Sequence, residues 1–143
     1  MELTFNPIGA PAYGTAFRSY IATIPLKDLG VANNTLPLFV IPKGSTIVAV
    51  KLVCTEDSNG GGSIDIGTYK ITNGAVGAVV DADALYVGAA YAATTKFGDL
   101  FAKAATATNT QVTEDVVIQV SAKTVTEGSA ATKGALQLEV VTL

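Results

Sequence analysis

Ser45-Thr46-Ile47-Val48-Ala49-Val50-Lys51-Leu52-Val53-Cys54-Thr55 is the stretch whose reading settles the class of fold. Its residues divide into two alternating sets: Thr46, Val48, Val50, Leu52 and Cys54 against Ile47, Ala49, Lys51, Val53 and Thr55. A period of two among β-branched residues predicts a strand, because successive side chains of a pleated chain point to opposite faces. The first set is core-like throughout and carries Cys54; the second is mixed. Glu56-Asp57-Ser58-Asn59-Gly60-Gly61-Gly62 follows as a run of turn formers, and Ser63–Ile71 resumes the strand pattern. Two strands about a glycine-rich turn predict a hairpin.

Working outward, Thr15–Ile24 alternates Phe17, Ser19, Ile21 and Thr23 with Arg18, Tyr20, Ala22 and Ile24, which suits a strand. Lys27-Asp28-Leu29-Gly30 reads as a turn, and Leu36–Ile41 as a short strand closed by Pro42-Lys43-Gly44. Residues 1–14 hold Pro7, Gly9, Pro11 and Gly14 among isolated apolar side chains, a density that breaks both regular periods and predicts an extended arm. Downstream, Asn73-Gly74 signals a turn and Ala75–Val80 a short strand. The alanine-rich stretch of 84–105 leaves room for short helical turns, although Gly88, Gly98 and Thr94-Thr95 argue against one long helix. Glu114–Lys123 and Ala135–Thr142 alternate again, and the polar loop Thr126–Gly134 between them predicts a second hairpin. The sum is an all-β chain. It is read as a single-domain antiparallel β-sandwich or jelly roll over 15–143 with an extended N-terminal arm over 1–14.

Composition then removes most chemistry. The 143 residues include no His, no Trp and one Cys, and only 15% are charged against 49% hydrophobic, with a net charge of -3. Without histidine the commonest general base and metal ligand is gone, and one cysteine makes neither a disulfide nor a cysteine metal cluster. An enzyme is therefore not expected, nor a metal or other cofactor. Uncharged runs such as Leu29–Pro42 fall short of the roughly 20 apolar residues that span a bilayer, so no membrane is expected. No Lys/Arg cluster exists to displace phosphate counterions, so no nucleic acid is expected either. The first residues lack a basic region and a continuous apolar run, which predicts synthesis and retention in a cytoplasm.

The remaining candidate motifs read better as architecture. Asp57–Asp65 places oxygens at several positions of a calcium loop, but Gly61 and Thr68 stand where further ligands belong, and strands flank it. The pairs Asp81/Asp83 and Glu114/Asp115 suit loop caps or solvated faces. Cys54, lacking a histidine to activate it, suits a buried small hydrophobe. Tyr69, Tyr86 and Tyr91 are the available residues for a sugar-stacking platform.

Leu38–Val50, Gly62-Ser63-Ile64-Asp65-Ile66-Gly67-Thr68 and Asp81-Ala82-Asp83-Ala84-Leu85 together resemble small virion proteins of tailed bacteriophages. The shared pattern is an apolar strand, a Pro-x-Gly turn, a long strand, a glycine-rich segment ending in Ile-Gly-Thr, and a loop with Asp-x-Asp. The resemblance spans about Leu38 to Leu85 and implies a capsid decoration (cement) protein. Such a protein is a homotrimeric β-sandwich on the capsid surface, bound to the major capsid protein. Capsid or oligomer contact falls to the arm residues Leu3, Phe5, Pro7, Ile8, Pro11 and Tyr13. The alternative is a receptor- or glycan-binding module of a tail or head fibre, with Tyr86, Tyr91 and Asp81/Asp83 on its binding loops. No catalytic signature carries over.

Overall fold

The computed structural model describes residues 17–125 and 129–143. The arm expected over 1–14, with its six contact residues, lies outside them. Eight strands form two four-stranded antiparallel sheets. In the first sheet β1 (Arg18–Pro25) pairs with β8 (Ala135–Thr142), β8 with β3 (Thr46–Glu56), and β3 with the short β6 (Thr110–Gln111). In the second, β2 (Thr35–Ile41), β7 (Val116–Val125), β4 (Gly62–Thr72) and β5 (Ala75–Tyr91) lie side by side in that order. First therefore pairs with last, second with seventh, third with sixth and fourth with fifth. The chain is a ribbon folded double at Asn73-Gly74 and rolled so that its two halves face each other. The all-β antiparallel sandwich read from the sequence is what the structure shows.

Period-two patterning builds the core between the sheets. On β8, Leu136, Leu138 and Val140 are fully buried while Gln137, Glu139 and Val141 are half-buried on the other face. Ile24, Leu52 and Cys54 join them from the same sheet, and Ile41, Ile64, Ile66, Ile118 and Val120 oppose them from the other. Each such side chain contributes about 1.5–3 kcal/mol on leaving water. Tyr20 reaches across to stack on Phe39, ring centroids 5.4 Å apart. Leu26 and Leu29, in a single 3-10 turn (Leu26–Leu29), plug one end of the sandwich.

Five local expectations give way. The turn formers of 56–62 do not close a hairpin: β3 and β4 belong to different sheets, and the segment crosses from one to the other. The same holds for β7 and β8, so the second expected hairpin is also a crossing. Ala75–Val80 is the start of a 17-residue strand that runs to Tyr91, and no helix forms within 84–105. Alternation in β3 is broken by a bulge between Ile47 and Ala49, which turns Ile47 into the core along with Leu52 and Cys54, although they belong to opposite sets.

β5 departs furthest from a regular ladder. Ile66 pairs with Tyr86 and Thr68 with Asp81, so residues 82–85 stand opposite the single residue Gly67. A second irregularity, around Gly88 (φ 55°), lets its N–H donate to Asp65 Oδ1 at 2.6 Å. Together they aim Leu85, Tyr86, Ala89 and Tyr91 inward.

Candidate functional site

The three tyrosines do not make a platform. Tyr86 and Tyr91 are 1% and 4% exposed, because β5 continues through the segment expected as loop and its irregularities point both rings into the core. Burial pushes the Tyr86 hydroxyl up to about 12, partly offset by a hydrogen bond with the Leu52 backbone, and burial alone raises that of Tyr91. Stacking on a sugar needs an exposed ring face, so the glycan-binding role assigned to these two residues is corrected. Tyr69 is half-buried, its hydroxyl 3.2 Å from Ser121 Oγ.

Cys54 is buried, its thiol donating to the Glu56 carbonyl at 3.1 Å. Burial pushes it up in pKa, with the Glu56 backbone hydrogen bond opposing and the nearby Asp57, Asp99 and Glu56 carboxylates adding to the rise. Such a thiol stays protonated and packs as a small hydrophobe, as its place in the alternation predicts.

The polar side chains of 57–65 have structural work instead of a ligand. Asp57 Oδ1 accepts the Phe97 N–H at 2.7 Å, and its other oxygen lies 3.9 Å from Lys96 Nζ. Asn59 Oδ1 accepts from the Thr132 and Lys133 N–H groups, and its Nδ2 donates to Thr132 Oγ1 at 2.7 Å. Ser58 is buried and donates to the Gly60 carbonyl. Asp65 holds the Gly88 turn and sits 3.8 Å from Lys123. These bonds stitch the sheet-to-sheet crossing to its neighbouring loops.

Two of the carboxylates read as adjacent pairs accept backbone N–H groups. Asp115 Oδ1 accepts the Lys43 N–H at 2.8 Å and so ties down the Pro42–Ser45 turn, and Asp81 Oδ1 lies 3.4 Å from the Asp83 N–H. Asp81 and Glu114, far apart in sequence, instead line one cavity of about 190 Å³ between the sheets, walled chiefly by Ile47, Leu85, Val112 and Val116. Local reading missed this pairing, since only the rolled topology brings the bulge of β5 beside the start of β7. Its one sequence signal is Gly67, which lets the bulge backbone press close.

Apolar side chains lie bare elsewhere on the single chain. Phe17 and Ile21 stand on the outer side of β1, and Val79, Val80 and Val87 on the edge strand β5. Phe97 and Leu100, 75% and 69% exposed, sit on a segment that hydrogen-bonds the free edge of β3 through Gly98, Asp99 and Phe101. Around them Ala92, Ala93, Ala102 and Ala105 are exposed and uncharged.

A scan against protein-family models and a search of curated proteins both return no match. Among solved structures, a chain in the Ralstonia phage GP4 capsid has a similar fold, with a TM-score of 0.66 and 17% identity over 98% of this chain and 90% of that one. A chain in the cyanophage Pam1 capsid asymmetric unit is similar at a TM-score of 0.62 and 14% identity, over 99% of this chain and 96% of that one. At these identities what the proteins share is the fold, from end to end.

Proposed function

We propose that the chain is a structural virion protein, and more specifically a capsid decoration protein. It would bind the outer capsid lattice through the major capsid protein and stabilise it by contact. The observation that carries this reading is the end-to-end likeness to chains found in two phage capsids. The rolled pairing order supports it as well: first with last and second with seventh is the order of a jelly roll, an architecture used in viral capsid domains. Low charge supports it too, because a neutral surface packs against copies of itself or a shell without desolvating many ions. In this reading the protein is not an enzyme and is made in the host cytoplasm. It sits as a homotrimer on the capsid surface, with the arm residues Leu3, Phe5, Pro7, Ile8, Pro11 and Tyr13 at its contacts. A partner that binds the assembled shell and not free subunits stabilises the shell by mass action.

Purified protein added to capsids that lack it tests the proposal. Saturable binding, a higher disruption temperature for the particles and a trimer in sedimentation are the expected results. A strict monomer that leaves capsids undecorated would remove the reading. The fibre alternative has lost Tyr86 and Tyr91 to the core; of its residues Asp81 and Asp83 remain, Asp81 lining the cavity between the sheets.

A further inference from the structure

A second depression lies outside the core, on the outer face of the β2–β7–β4–β5 sheet. The tip of the β4–β5 hairpin, with Ile71 and Val76, and the β2 residues Pro37 and Val40 form its walls, and Val117 is in its lining. Val117 stands in register with Val40 on one side and Tyr69 on the other. No lining residue is charged, and the space amounts to about 450 Å³, the size of a small-ligand pocket. Val117 is only 7% exposed, while Val40, Ile71 and Val76 present their outer surfaces to solvent. An apolar cleft left open on a sparsely charged chain is a seat for an apolar segment.

The fold points to one. Arg18, at the start of β1, shares a shallow depression with Pro42, Lys43, Thr142 and Leu143 at one end of the sandwich. Val40 lies two residues before Pro42, about 7 Å along the strand. The described chain thus begins, at Phe17 and Arg18, near one end of this groove, on the side where the edge strands β1 and β2 both lie. Sixteen extended residues reach about 50 Å, far more than the path requires. Leu3 to Gly14 holds no charged residue and spaces Leu3, Phe5, Ile8 and Tyr13 between Pro7 and Pro11. Prolines keep such a segment out of helix, and Pro37 removes an N–H from the β2 edge, so side chains rather than a new ladder make the contact.

We infer that, in the free protein, the N-terminal arm of the chain lies in this groove of its own sandwich, with apolar arm side chains against Val40, Ile71, Val76 and Val117. Tethering supports a contact within one molecule, since a short flexible link gives a millimolar-scale effective concentration. The inference does not depend on the virion reading: the arm would exchange this seat for a shell contact only if that reading is right.

Backbone amide NMR on the full chain tests it against three variants: one lacking residues 1–14, Phe5→Ser, and Ile8→Ser. The serine variants leave the described sandwich untouched. Chemical-shift changes are expected to cluster at Val40, Ile71–Val76 and Val117 in all three, and arm resonances in the full chain to lie away from random-coil positions. Random-coil arm resonances, or changes confined to another surface such as Val79, Val80 and Val87, would overturn the assignment. Isotope-filtered NOEs in a mixture of labelled and unlabelled protein are expected to show no arm-to-groove signal between molecules. Their presence would instead place the arm on a second copy and refute docking on its own sandwich.

Discussion

A methyl group at position 67 has nowhere to go. The carbonyl groups of Asp81 and Ala82, in the bulge of β5, already occupy the place where a Cβ would stand. Gly67→Ala is expected to cost about 2–3 kcal/mol, because backbone yields less readily than a side chain. The midpoint of urea unfolding should fall with no change in slope. Tyr86 makes a prediction of another kind. Its hydroxyl is raised from 10 to about 12 in the folded chain, so its contribution to folding stability is fully present below about pH 10. That contribution disappears as pH rises through 12, for the unfolded chain gives up the proton first. A rise of that size corresponds to about 2–3 kcal/mol. Tyr86→Phe should therefore flatten the alkaline loss of stability between pH 10 and 12, read by denaturant unfolding across that range. Tyr91 leaves a residual slope in the same direction.

At the scale of elements, the hairpin at Asn73-Gly74 is, among the described residues, the one consecutive pairing within a sheet. Both residues have positive φ, 52° and 79°, and a Cβ on Gly74 would meet nothing within 4 Å. Gly74→Val should thus be destabilising by about 1–3 kcal/mol through backbone strain alone, the added side chain standing in open space, as thermal unfolding would show. Strands were legible in the sequence wherever one face is buried: β8 alternates in the structure as its residues do in the chain, and Cys54 lies where its period places it. Partners were not legible. Glu56–Gly62 and Thr126–Gly134 carry the turn chemistry of hairpins, yet each joins strands of opposite sheets, since turn formers permit a reversal without choosing which edge it meets. The far half of β5 was hidden by its composition: Ala89 and Ala90 carry no β preference of their own and are held as strand by pairing with Ile64 and Ser63 of β4. The Asp81–Glu114 cavity was invisible for the same reason, because it exists only once 82–85 has bulged.

At the scale of the molecule, β8 is the keystone of its sheet. It lies between β1 and β3 and buries Leu136, Leu138 and Val140. A chain ending at Gly134 loses both pairings and the centre of one sheet's inner face, and is expected to show no cooperative unfolding transition by circular dichroism. Pairing of the first strand with the last also requires closure of nearly the whole chain before these two elements can meet. That topology belongs with β-sandwiches that fold in milliseconds to seconds.

The pairing of Arg18 with Thr142 has one more consequence. It brings Leu143 a short span from Phe17, so among the described residues the end of β8 and the start of β1 are neighbours and the eight strands follow one another in a cycle. A brief linker across that gap, with a new opening at the exposed Asn73-Gly74 turn, would preserve every strand pairing. It would also carry the chain ends to the opposite extreme of the ribbon, detaching the order of synthesis from the order of the sheet.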